Sequence, residues 1–418
     1  PVSSTELESA MTLHGPVIHS PRPISAISEN QAELDRRLRM ELDKMLYRKY
    51  SQTIAPYLRR LRIPQSISEM GLTKNKKQCL ARPESRMTET RDVDERPLGK
   101  RIIFYSPSFN LRRNKYSRYS STAFPSISIT GTECALQCEH CKGKLLESMI
   151  PARSPGELKR VLGGIKEKGG IGCLISGGCE AGGYIQLAPF MPAIAEGKAK
   201  LGLKIVVHTG LVDASTSRQL ADTGIDCALI DIIGSGKTAR EVCHLDVDAT
   251  AYGDSLEMLR RAHVRTVPHV IVGLDHGNLE GELEAIRMIS RCDPAAVVVI
   301  ILTPVKGTGM EQVAPPEPES VAEILIAAKN LMPKVPILMG CVRPTGIHRA
   351  RTDILAIRAG VNGIALPSRE AIEFAEQQGF ECYFAPHCCA LIYEDLEMIQ
   401  SLLQLGVDHT MPRKNRQT

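Results

Sequence analysis

Three cysteines separated by three and two residues are the most distinctive chemical feature of this sequence. Cys134, Cys138 and Cys141 stand close together, directly after the apolar run 126–130. An ordinary [4Fe–4S] cluster takes four thiolates, so three thiolates would leave one iron without a protein ligand. An iron with an open position can bind and activate a small molecule. The spacing therefore indicates a [4Fe–4S] cluster that takes part in chemistry.

Three other interpretations of these cysteines compete with the cluster. They are a structural zinc site, a redox dithiol pair, and chance clustering in a chain that has 13 cysteines. A zinc site needs a fourth Cys or His with its own characteristic spacing, and no nearby Cys-x2-Cys pair supplies one. The spacing and the preceding apolar run together favour the cluster.

The composition is that of a globular protein. The chain has 418 residues, of which 43% are hydrophobic and 24% charged, enough for one large domain and an extension. No apolar run approaches the roughly 20 residues of a membrane-spanning helix, and residues 1–10 lack the blocks of a signal peptide. These features predict a cytoplasmic protein that does not associate with membranes, and whose thiols stay reduced or bind metal.

The net charge of +5 is modest, and the basic residues concentrate before residue 120. A solvated basic face and an acidic protein partner are both open as interpretations. Nucleic acid is not expected as a partner, because aromatic residues do not interleave with the basic ones.

The sequence predicts an N-terminal extension over residues 1–122. Residues 1–30 are rich in Ser and Pro and are predicted to be mobile. Residues 30–61 place apolar residues at helical spacing between charged ones, which predicts one amphipathic helix. Residues 64–120 have weak periodicity and are interpreted as irregular.

From residue 126, short apolar runs alternate with amphipathic helical patterns, which is typical of repeated βα units. Strands are predicted near 126–130, 172–176, 203–208, 226–232, 266–272, 296–302, 336–340 and 362–366. Helices are predicted near 155–168, 186–198, 214–223, 254–263, 279–290, 318–331, 350–359 and 369–378. Eight units allow closure into an α/β fold of the TIM type, a (β/α)8 barrel over residues 123–380, followed by a tail over residues 381–418. An open doubly wound sheet is the alternative.

Active-site groups of such a barrel belong at the C-terminal ends of its strands. Gly177 and Gly178 follow the second strand and would let the backbone approach a ligand closely. His208, Asp231 and His269 lie on or at the ends of later strands. A hydrogen-bonded core histidine and a helix-capping aspartate are the competing interpretations of these three.

Several other cysteines could form a second site. Five stand at the predicted mouth or after the last helix: Cys179, Cys341, Cys382, Cys388 and Cys389. One interpretation is a second iron–sulfur cluster with ligands drawn from these five; packing and chance are the others. Four more fall at strand starts, in a loop or near helix ends and are assigned to packing: Cys173, Cys227, Cys243 and Cys292.

The cysteine spacing, on a loop that leaves a strand, resembles the cluster loop of the radical S-adenosylmethionine enzymes. In that family S-adenosylmethionine chelates the open iron, and electron transfer cleaves it to a 5'-deoxyadenosyl radical. The resemblance implies S-adenosylmethionine as a cofactor and an electron donor of the ferredoxin or flavodoxin type. His140 stands where the family usually has an aromatic residue.

The same resemblance assigns cofactor contacts at the barrel mouth. A Gly-Gly-Glu segment contacts the cofactor in that family, and Gly177, Gly178 and Glu180 occupy its place here. Cys179 is inserted before Glu180, which departs from the family pattern and puts the role of Glu180 in doubt. His140, together with His208 and Asp231, completes the expected cofactor contacts.

Residues 303–310, followed by Arg343, resemble the C-terminal half of biotin synthase. That enzyme inserts sulfur at unactivated carbon and sacrifices a second cluster as the sulfur source. An arginine is among the ligands of its second cluster, and Arg343 stands near the place of that arginine.

Residues 124–134, 141–146, 176–179 and 340–344 resemble a narrower group of biotin synthase homologues. That group supplies one chain of the two-component lipoyl synthase found in archaea and some bacteria. The resemblance implies sulfur insertion into an octanoyl chain on a lipoyl-carrier protein, with a second radical S-adenosylmethionine chain as partner. The basic extension could then dock the partner chain or the carrier.

Two alternatives to this function stay open. The first is another enzyme of the same type, such as biotin synthase itself or a cofactor-maturation enzyme. The second is a non-enzymatic iron–sulfur carrier or scaffold, which would leave Gly177 and Gly178 without a purpose.

Overall fold

A computed structural model of the chain describes residues 99–106 and 123–404. Within these residues, eleven strands form one sheet: β1 Arg101–Tyr105, β2 Ser126–Ser128, β3 Ile150–Pro151, β4 Gly172–Ser176, β5 Lys204–His208, β6 Cys227–Asp231, β7 Thr266–Val272, β8 Val297–Ile301, β9 Ile337–Met339, β10 Gly363–Ala365 and β11 Glu381–Ala385.

Helices connect most of these strands. The α-helices of the described residues are α1 Pro155–Glu167, α2 Met191–Ala199, α3 Ala214–Thr223, α4 Gly236–Glu241, α5 Thr250–Arg261, α6 Glu282–Ser290, α7 Pro318–Leu331, α8 Ile347–Arg358, α9 Arg369–Gln377 and α10 Ile392–Gln404. Short 3-10 helices lie at Lys144–Ser148, Ala188–Phe190 and Cys389–Leu391.

The strands follow each other around the sheet almost in chain order. The order is β11-β1-β10-β9-β8-β7-β6-β5-β4-β2-β3, and every pairing is parallel. In a doubly wound sheet the order of the strands reverses at a strand in the middle of the sheet. The order here has no such reversal, which excludes the doubly wound alternative. No pairing within the described residues joins β3 to β11, so the sheet is a curled, TIM-type half-barrel rather than a closed ring.

Alternation along each strand separates the two faces of the sheet. Ile103 and Tyr105 of β1 belong to the inner core, whereas Ile102 and Phe104 pack outward against the helices. Successive side chains of a strand point to opposite faces. The register of each strand therefore determines which of its side chains face the interior of the half-barrel. The polar residues that matter below lie on the inner face.

Helix α1 shows how local sequence places the helices. The side chain of Ser154 accepts a hydrogen bond from the backbone N–H of Glu157, and Pro155 occupies the first turn, where its missing N–H costs nothing. Leu158 and Leu162 are buried on the face toward the sheet. Burial of each such side chain contributes about 1.5–3 kcal/mol.

The C-terminal segment, which begins with the 3-10 helix Cys389–Leu391, packs inside the half-barrel. The 3-10 helix Cys389–Leu391 belongs to the inner core. The hydroxyl of Tyr393 donates to the backbone oxygen of Asp226 at 3.0 Å, and Lys204 pairs with Glu394 at 2.7 Å. These partners stand before or at the starts of β5 and β6, whereas Asp395 of the same segment accepts from the hydroxyl of Tyr105, the last residue of β1, at 2.7 Å. The segment therefore crosses the interior of the half-barrel.

The eight strands and eight helices predicted from the sequence are confirmed, with small shifts at their ends. Three strands were not predicted: β1 lies in the predicted extension, β11 in the predicted tail, and the two-residue β3 follows the cluster loop and pairs with β2. The helix predicted within residues 30–61 lies outside the described residues. The division into extension, barrel and tail stays a prediction. No helix in the described part of the chain is long and apolar enough to cross a bilayer.

Glu282 at the start of α6 gives the fold a measurable pH dependence. One carboxyl oxygen accepts from the backbone N–H of Gly273 at 2.8 Å, and the other is buried without a recorded partner. Burial raises the pKa of Glu282 to about 7 from 4.5. The folded chain therefore holds a proton that the unfolded chain releases, and stability falls as the pH rises from 4.5 to 7, then levels off.

We expect the free energy of unfolding to lose roughly 3 kcal/mol over this range. Glu282→Gln should abolish that decline, as measured by urea unfolding at pH 5 and pH 8. A matched control is Glu284→Gln, a partly exposed glutamate of the same helix, which should keep the decline. An equal decline in native chain and Glu282→Gln would contradict the assignment.

Candidate active site

The loop after β2 brings two of the three predicted cluster cysteines, Cys138 and Cys141, together with His140. The backbone N–H groups of Cys141 and Lys142 donate to the carbonyl of Cys138 at 3.1 and 2.9 Å, which folds the loop into a tight turn. Ligand atoms of Cys138, His140 and Cys141 lie within 4.8 Å of one another. The carbonyl of Cys134 accepts from the Gln137 side chain at 2.7 Å, so the first cysteine is held at the start of the same turn.

The pKa values of Cys138 and Cys141 are both raised in this turn. Contact with Cys138, followed by burial, raises the pKa of Cys141 to about 12. A hydrogen bond with Cys141 lowers the pKa of Cys138, but contact with Cys243 and burial outweigh it and raise that pKa well above its usual range. A metal must therefore displace protons on binding, as is usual for thiolate ligands.

The glycine segment after β4 packs directly on the cluster loop. A Cβ on Gly178 would lie 1.9 Å from the carbonyl oxygen of Glu133 and 2.6 Å from Cα of Cys134, so only glycine fits. The backbone N–H of Gly178 donates to the Thr130 hydroxyl at 2.7 Å. The backbone N–H of Ala135 donates to the carbonyl of Cys179 at 2.8 Å. The segment and the loop thus form one unit.

The residues present fit the cofactors that the sequence predicts. The grouped thiols of Cys138 and Cys141, with Cys134 at the start of the same loop, suit the predicted [4Fe–4S] cluster with an open iron. Nδ1 of His140 is buried and has no hydrogen-bond partner among the described residues, which leaves a polar atom available beside these two thiols. Glu180 lies in an exposed turn beyond Gly178, where its backbone N–H donates to the carbonyl of Tyr184 at 2.9 Å.

A second loop, residues 242–244, also binds the cluster loop through hydrogen bonds. Sequence reasoning did not predict this contact. His244 bonds the carbonyl of Leu136 at 2.8 Å and the carboxylate of Glu139 at 3.1 Å through its two ring nitrogens. The thiol of Cys138 donates to the carbonyl of Cys243 at 3.6 Å. Cys243 had been assigned to packing, and no local signal links these residues to a loop about 100 positions earlier.

A polar wall lines the inner face where β5, β6 and β7 end. Nε2 of His208 lies 3.3 Å from a carboxyl oxygen of Asp231, and the rings of His208 and His269 are 6.2 Å apart. Burial opposes ionisation of Asp231, but His208, then His269 and His140, lower its pKa to about 2. The contribution of His140 to this pKa is smaller than those of His208 and His269.

The pKa values of the two wall histidines shift in opposite directions. Burial lowers the pKa of His208, but its contact with Asp231 outweighs burial and raises that pKa. Burial lowers the pKa of His269 to about 4, so this ring is neutral at pH 7. The wall therefore presents the pair of His208 and Asp231 beside a neutral ring that can both donate and accept.

The five cysteines proposed for a second cluster are divided among three places. Cys179 lies with the cluster loop, and burial raises its pKa to about 12, with a further contribution from Cys134. The thiol of Cys382 on β11 donates to the carbonyl of Phe380 at 3.7 Å and packs against the outer core. Cys341, Cys388 and Cys389 share the inner core.

Cys227, which the sequence assigns to packing, lies in the same core as Cys341, Cys388 and Cys389. It is buried in the same inner core, and its thiol donates to the carbonyl of Ala390 at 3.9 Å. A hydrogen bond from Cys389 lowers the pKa of Cys388, while Cys388 and then burial raise the pKa of Cys389. We call Cys227, Cys341, Cys388 and Cys389 the inner thiols.

Arg343 does not serve as a free ligand near these thiols. Its guanidinium is fully buried and pairs with Asp353 through Nε at 2.8 Å and Nη2 at 3.1 Å. Its remaining donors bond the backbone oxygens of Gly340, Ala365 and Leu366. All five N–H groups are thus used, and the residue ties the ends of β9 and β10 together.

The fold and the sequence have relatives among known proteins. The biotin synthase of Cellvibrio japonicus is 26% identical over 181 residues, which are 42% of this chain and 49% of that protein. The biotin synthase of Prochlorococcus marinus is 22% identical over 289 residues, 66% of this chain and 83% of that protein. The chain is therefore similar in sequence to biotin synthases. It spans about half the length of the Cellvibrio protein.

The chain also shares its fold with a solved structure. The FeFe-hydrogenase maturase HydG from Carboxydothermus hydrogenoformans superposes with a TM-score of 0.51 at 16% identity, covering 92% of both chains. This likeness agrees with the predicted α/β fold of the TIM type. No protein-family model matches the chain.

The buried pair of Arg343 and Asp353 predicts a large loss of stability. Asp353→Asn would leave a guanidinium buried without its counter-charge, which costs about 3–5 kcal/mol. Urea unfolding measures the change. Glu319→Gln is the control, because the pair of Arg351 and Glu319 is partly exposed and should contribute about 0–1 kcal/mol. A small effect of Asp353→Asn would show that the pair is not essential to the fold.

The contact of Gly178 predicts a loss of iron binding. Gly178→Ala would push the backbone of Glu133 and Cys134 away, at a cost of about 1–3 kcal/mol. The reconstituted chain should then hold less iron and sulfide than the native chain. Gly163→Ala in helix α1, where a Cβ meets no atom within 4 Å, is the matched control. Equal iron content in native chain and Gly178→Ala would contradict the contact's role.

Proposed function

We propose that the chain is a radical S-adenosylmethionine enzyme that inserts sulfur at unactivated carbon of an octanoyl chain. The octanoyl chain would be carried on a lysine of a lipoyl-carrier protein, and a second radical S-adenosylmethionine chain would complete the reaction. The observation that carries the proposal is the convergence of the thiols of the cluster loop with the glycine segment on a biotin synthase-like barrel.

Cys134, Cys138 and Cys141 would hold the [4Fe–4S] cluster. Once bound, this cluster and S-adenosylmethionine supply the hydrogen-abstracting chemistry that an unactivated methylene requires. The close packing of Gly178 on Cys134 keeps the loop in one position relative to the strands. The pair of His208 and Asp231 can bind the hydroxyl and amino groups of the cofactor.

The barrel would position substrate and exclude water. The inner face changes from the polar wall of β5 to β7 to apolar groups and thiols beyond it, where Ile300 on β8 is partly exposed. An alkyl chain lying on this second region would be held within reach of the cluster loop and away from solvent.

The inner thiols supply a candidate for the sulfur source. Cys341, Cys388 and Cys389 belong to the five cysteines predicted from the sequence, and they share one core, whereas Cys179 and Cys382 lie elsewhere. A second iron–sulfur cluster would draw its ligands from the inner thiols. Such a cluster would be consumed as it donates sulfur, by analogy with biotin synthase.

Biotin synthase is the second candidate function. It is favoured by the matches to the Cellvibrio and Prochlorococcus biotin synthases. The two candidates differ in substrate, because biotin synthase uses a free small molecule and lipoyl synthesis uses a protein-bound acyl chain. The narrower resemblance at residues 124–134, 141–146, 176–179 and 340–344 favours the acyl chain.

The test uses the full chain, purified anaerobically and reconstituted with iron and sulfide. It is incubated with S-adenosylmethionine, with dithionite or a flavodoxin-type donor, with an octanoylated carrier protein and with an extract that contains the partner chain. We expect 5'-deoxyadenosine, and sulfur on the carrier by mass spectrometry. Cys138→Ala should form neither product, and Cys292→Ala, a cysteine of the outer core, should form both.

Two results would contradict this proposal. Sulfur insertion into dethiobiotin but not into the carrier would assign the chain to biotin synthesis. Absence of 5'-deoxyadenosine from a fully loaded native chain would leave a non-enzymatic iron–sulfur carrier as the better account.

A further inference from the structure

Two thiols and one imidazole meet in the cluster loop, and the proposed cluster uses only the thiols. Ligand atoms of Cys138, His140 and Cys141 lie within 4.8 Å of one another. We propose that these three residues form a mononuclear Zn²⁺ site, which is filled when the chain carries no cluster. This inference goes beyond the proposed function, because it concerns a second metal and a ligand that the cluster does not need.

The spacing of the group suits a single ion. Zinc binds thiolate sulfur at about 2.3 Å and histidine nitrogen at about 2.0 Å, so the ligand atoms of a tetrahedral site lie roughly 3.5 Å apart. Rotations about the side-chain bonds of Cys138, His140 and Cys141 can close the remaining distance. Thiolates of an iron–sulfur cluster stand further apart, because each of them binds a different iron. The spacing of the group is therefore closer to that of a mononuclear site.

The His140 ring has a nitrogen without a partner. Its Nδ1 is buried and makes no hydrogen bond among the described residues. By contrast, both ring nitrogens of His244 and of His387 bond oxygen atoms. A buried polar atom without a partner is costly, and a zinc ion would satisfy it. Zinc sites with two cysteines and one histidine keep their fourth position open to water, so no further residue is required.

The backbone between the ligands is held in place by the chain itself. The N–H of Glu139 donates to the carbonyl of Val242 at 2.8 Å, and the carbonyl of Glu139 accepts from the N–H of Met310 at 3.2 Å. The carboxylate of Glu139 lies 3.1 Å from Nε2 of His244. A Cβ on Gly309 would collide with this carboxylate, so only glycine fits there. A site held in this way loses little conformational freedom when it binds an ion, which favours tight binding.

Residues on both sides of the group have a rare backbone conformation. Gln137 and Lys142 are left-handed, with φ of 46° and 45°. This conformation costs a residue other than glycine about 1–2 kcal/mol and persists only where surrounding contacts hold it. The Gln137 side chain donates to the carbonyl of Cys134, and the Lys142 N–H donates to the carbonyl of Cys138. These contacts define the turn that presents the three ligands.

Zinc and the cluster exclude each other in this loop. Zinc uses Cys138 and Cys141, and the cluster needs both of them together with Cys134. For a given set of nitrogen and sulfur ligands, Zn²⁺ binds more tightly than Fe²⁺. Zinc therefore blocks cluster assembly until it is removed, which makes the chain sensitive to the supply of the two metals. Cys134 and His140 distinguish the two sites, since the cluster needs only the first and zinc only the second.

The test uses the full chain, purified anaerobically and stripped of metal. Competition with a chromophoric chelator measures Kd for Zn²⁺, and the absorption of Co²⁺ as a probe reports the number of thiolates bound to it. We expect Co²⁺ bound by two thiolates. His140→Phe should raise Kd about 100-fold or more, because loss of a ligand costs more than the 10–100-fold effect of losing an outer-shell partner. The same variant should load iron and sulfide like the native chain.

Cys134→Ser should show the opposite pattern, with an unchanged Kd for zinc and loss of the cluster. His276→Gln is the matched control, because this histidine lies outside the group and is 49% exposed, and it should affect neither metal. Thermal unfolding establishes that each variant is folded. Incubation with Zn²⁺ before reconstitution should lower the iron content of the native chain but not that of His140→Phe.

Three results would overturn the zinc site. They are absence of zinc binding by the metal-free native chain, a Kd that His140→Phe leaves unchanged, and binding that Cys388→Ser abolishes but Cys138→Ser does not. The last result would assign zinc to the inner thiols. None of the three bears on sulfur insertion, which is measured on the cluster-loaded chain, so the proposed function is tested separately.

Discussion

The position of the cluster loop depends on a direct contact between two backbones. Gly178 after β4 lies so close to Glu133 and Cys134 that any side chain would collide with them. Because strands β2 and β4 are neighbours in the sheet, the ends of both strands and the contact between their loops form one rigid unit. The loop of residues 242–244 holds the other side through His244 and the carbonyl of Cys243. Three thiols on an irregular loop thereby gain the fixed geometry that a cluster requires.

Side chains alternate between the two faces of the sheet, and the inner face carries the rest of the site. At the ends of β5 to β7 it carries His208, Asp231 and His269, and elsewhere it carries apolar groups and the inner thiols. These two regions require different partners, because buried charges need counter-charges and alkyl surfaces need apolar contacts. Arg343 carries a charge that would not fit the apolar region. Asp353 and three backbone oxygens neutralise it fully. It supports the far side of the mouth without entering the site.

Local patterns in the sequence were sufficient to predict the strands and helices of the barrel units. Each unit has its own short apolar run and amphipathic helix, so periodicity alone identifies it. Strand β1 was missed because it stands alone in a basic, irregular stretch and pairs with β10 and β11, which are far away in sequence. The three cluster cysteines were predictable because their spacing is local. Cys341, Cys388 and Cys389 were also candidates, but their grouping with Cys227 was not predictable, since Cys227 meets the carbonyl of Ala390 only after the C-terminal segment enters the half-barrel.

The incomplete closure of the sheet has a consequence for solubility. An open sheet leaves an edge strand whose free N–H and C=O groups can recruit a strand from another molecule. The sheet has two edges, β11 and β3, and β3 has only two residues, both exposed, of which the second is Pro151. Proline has no N–H to offer, and so short a strand provides almost no template for pairing. The open half-barrel is therefore protected from edge-to-edge aggregation at β3.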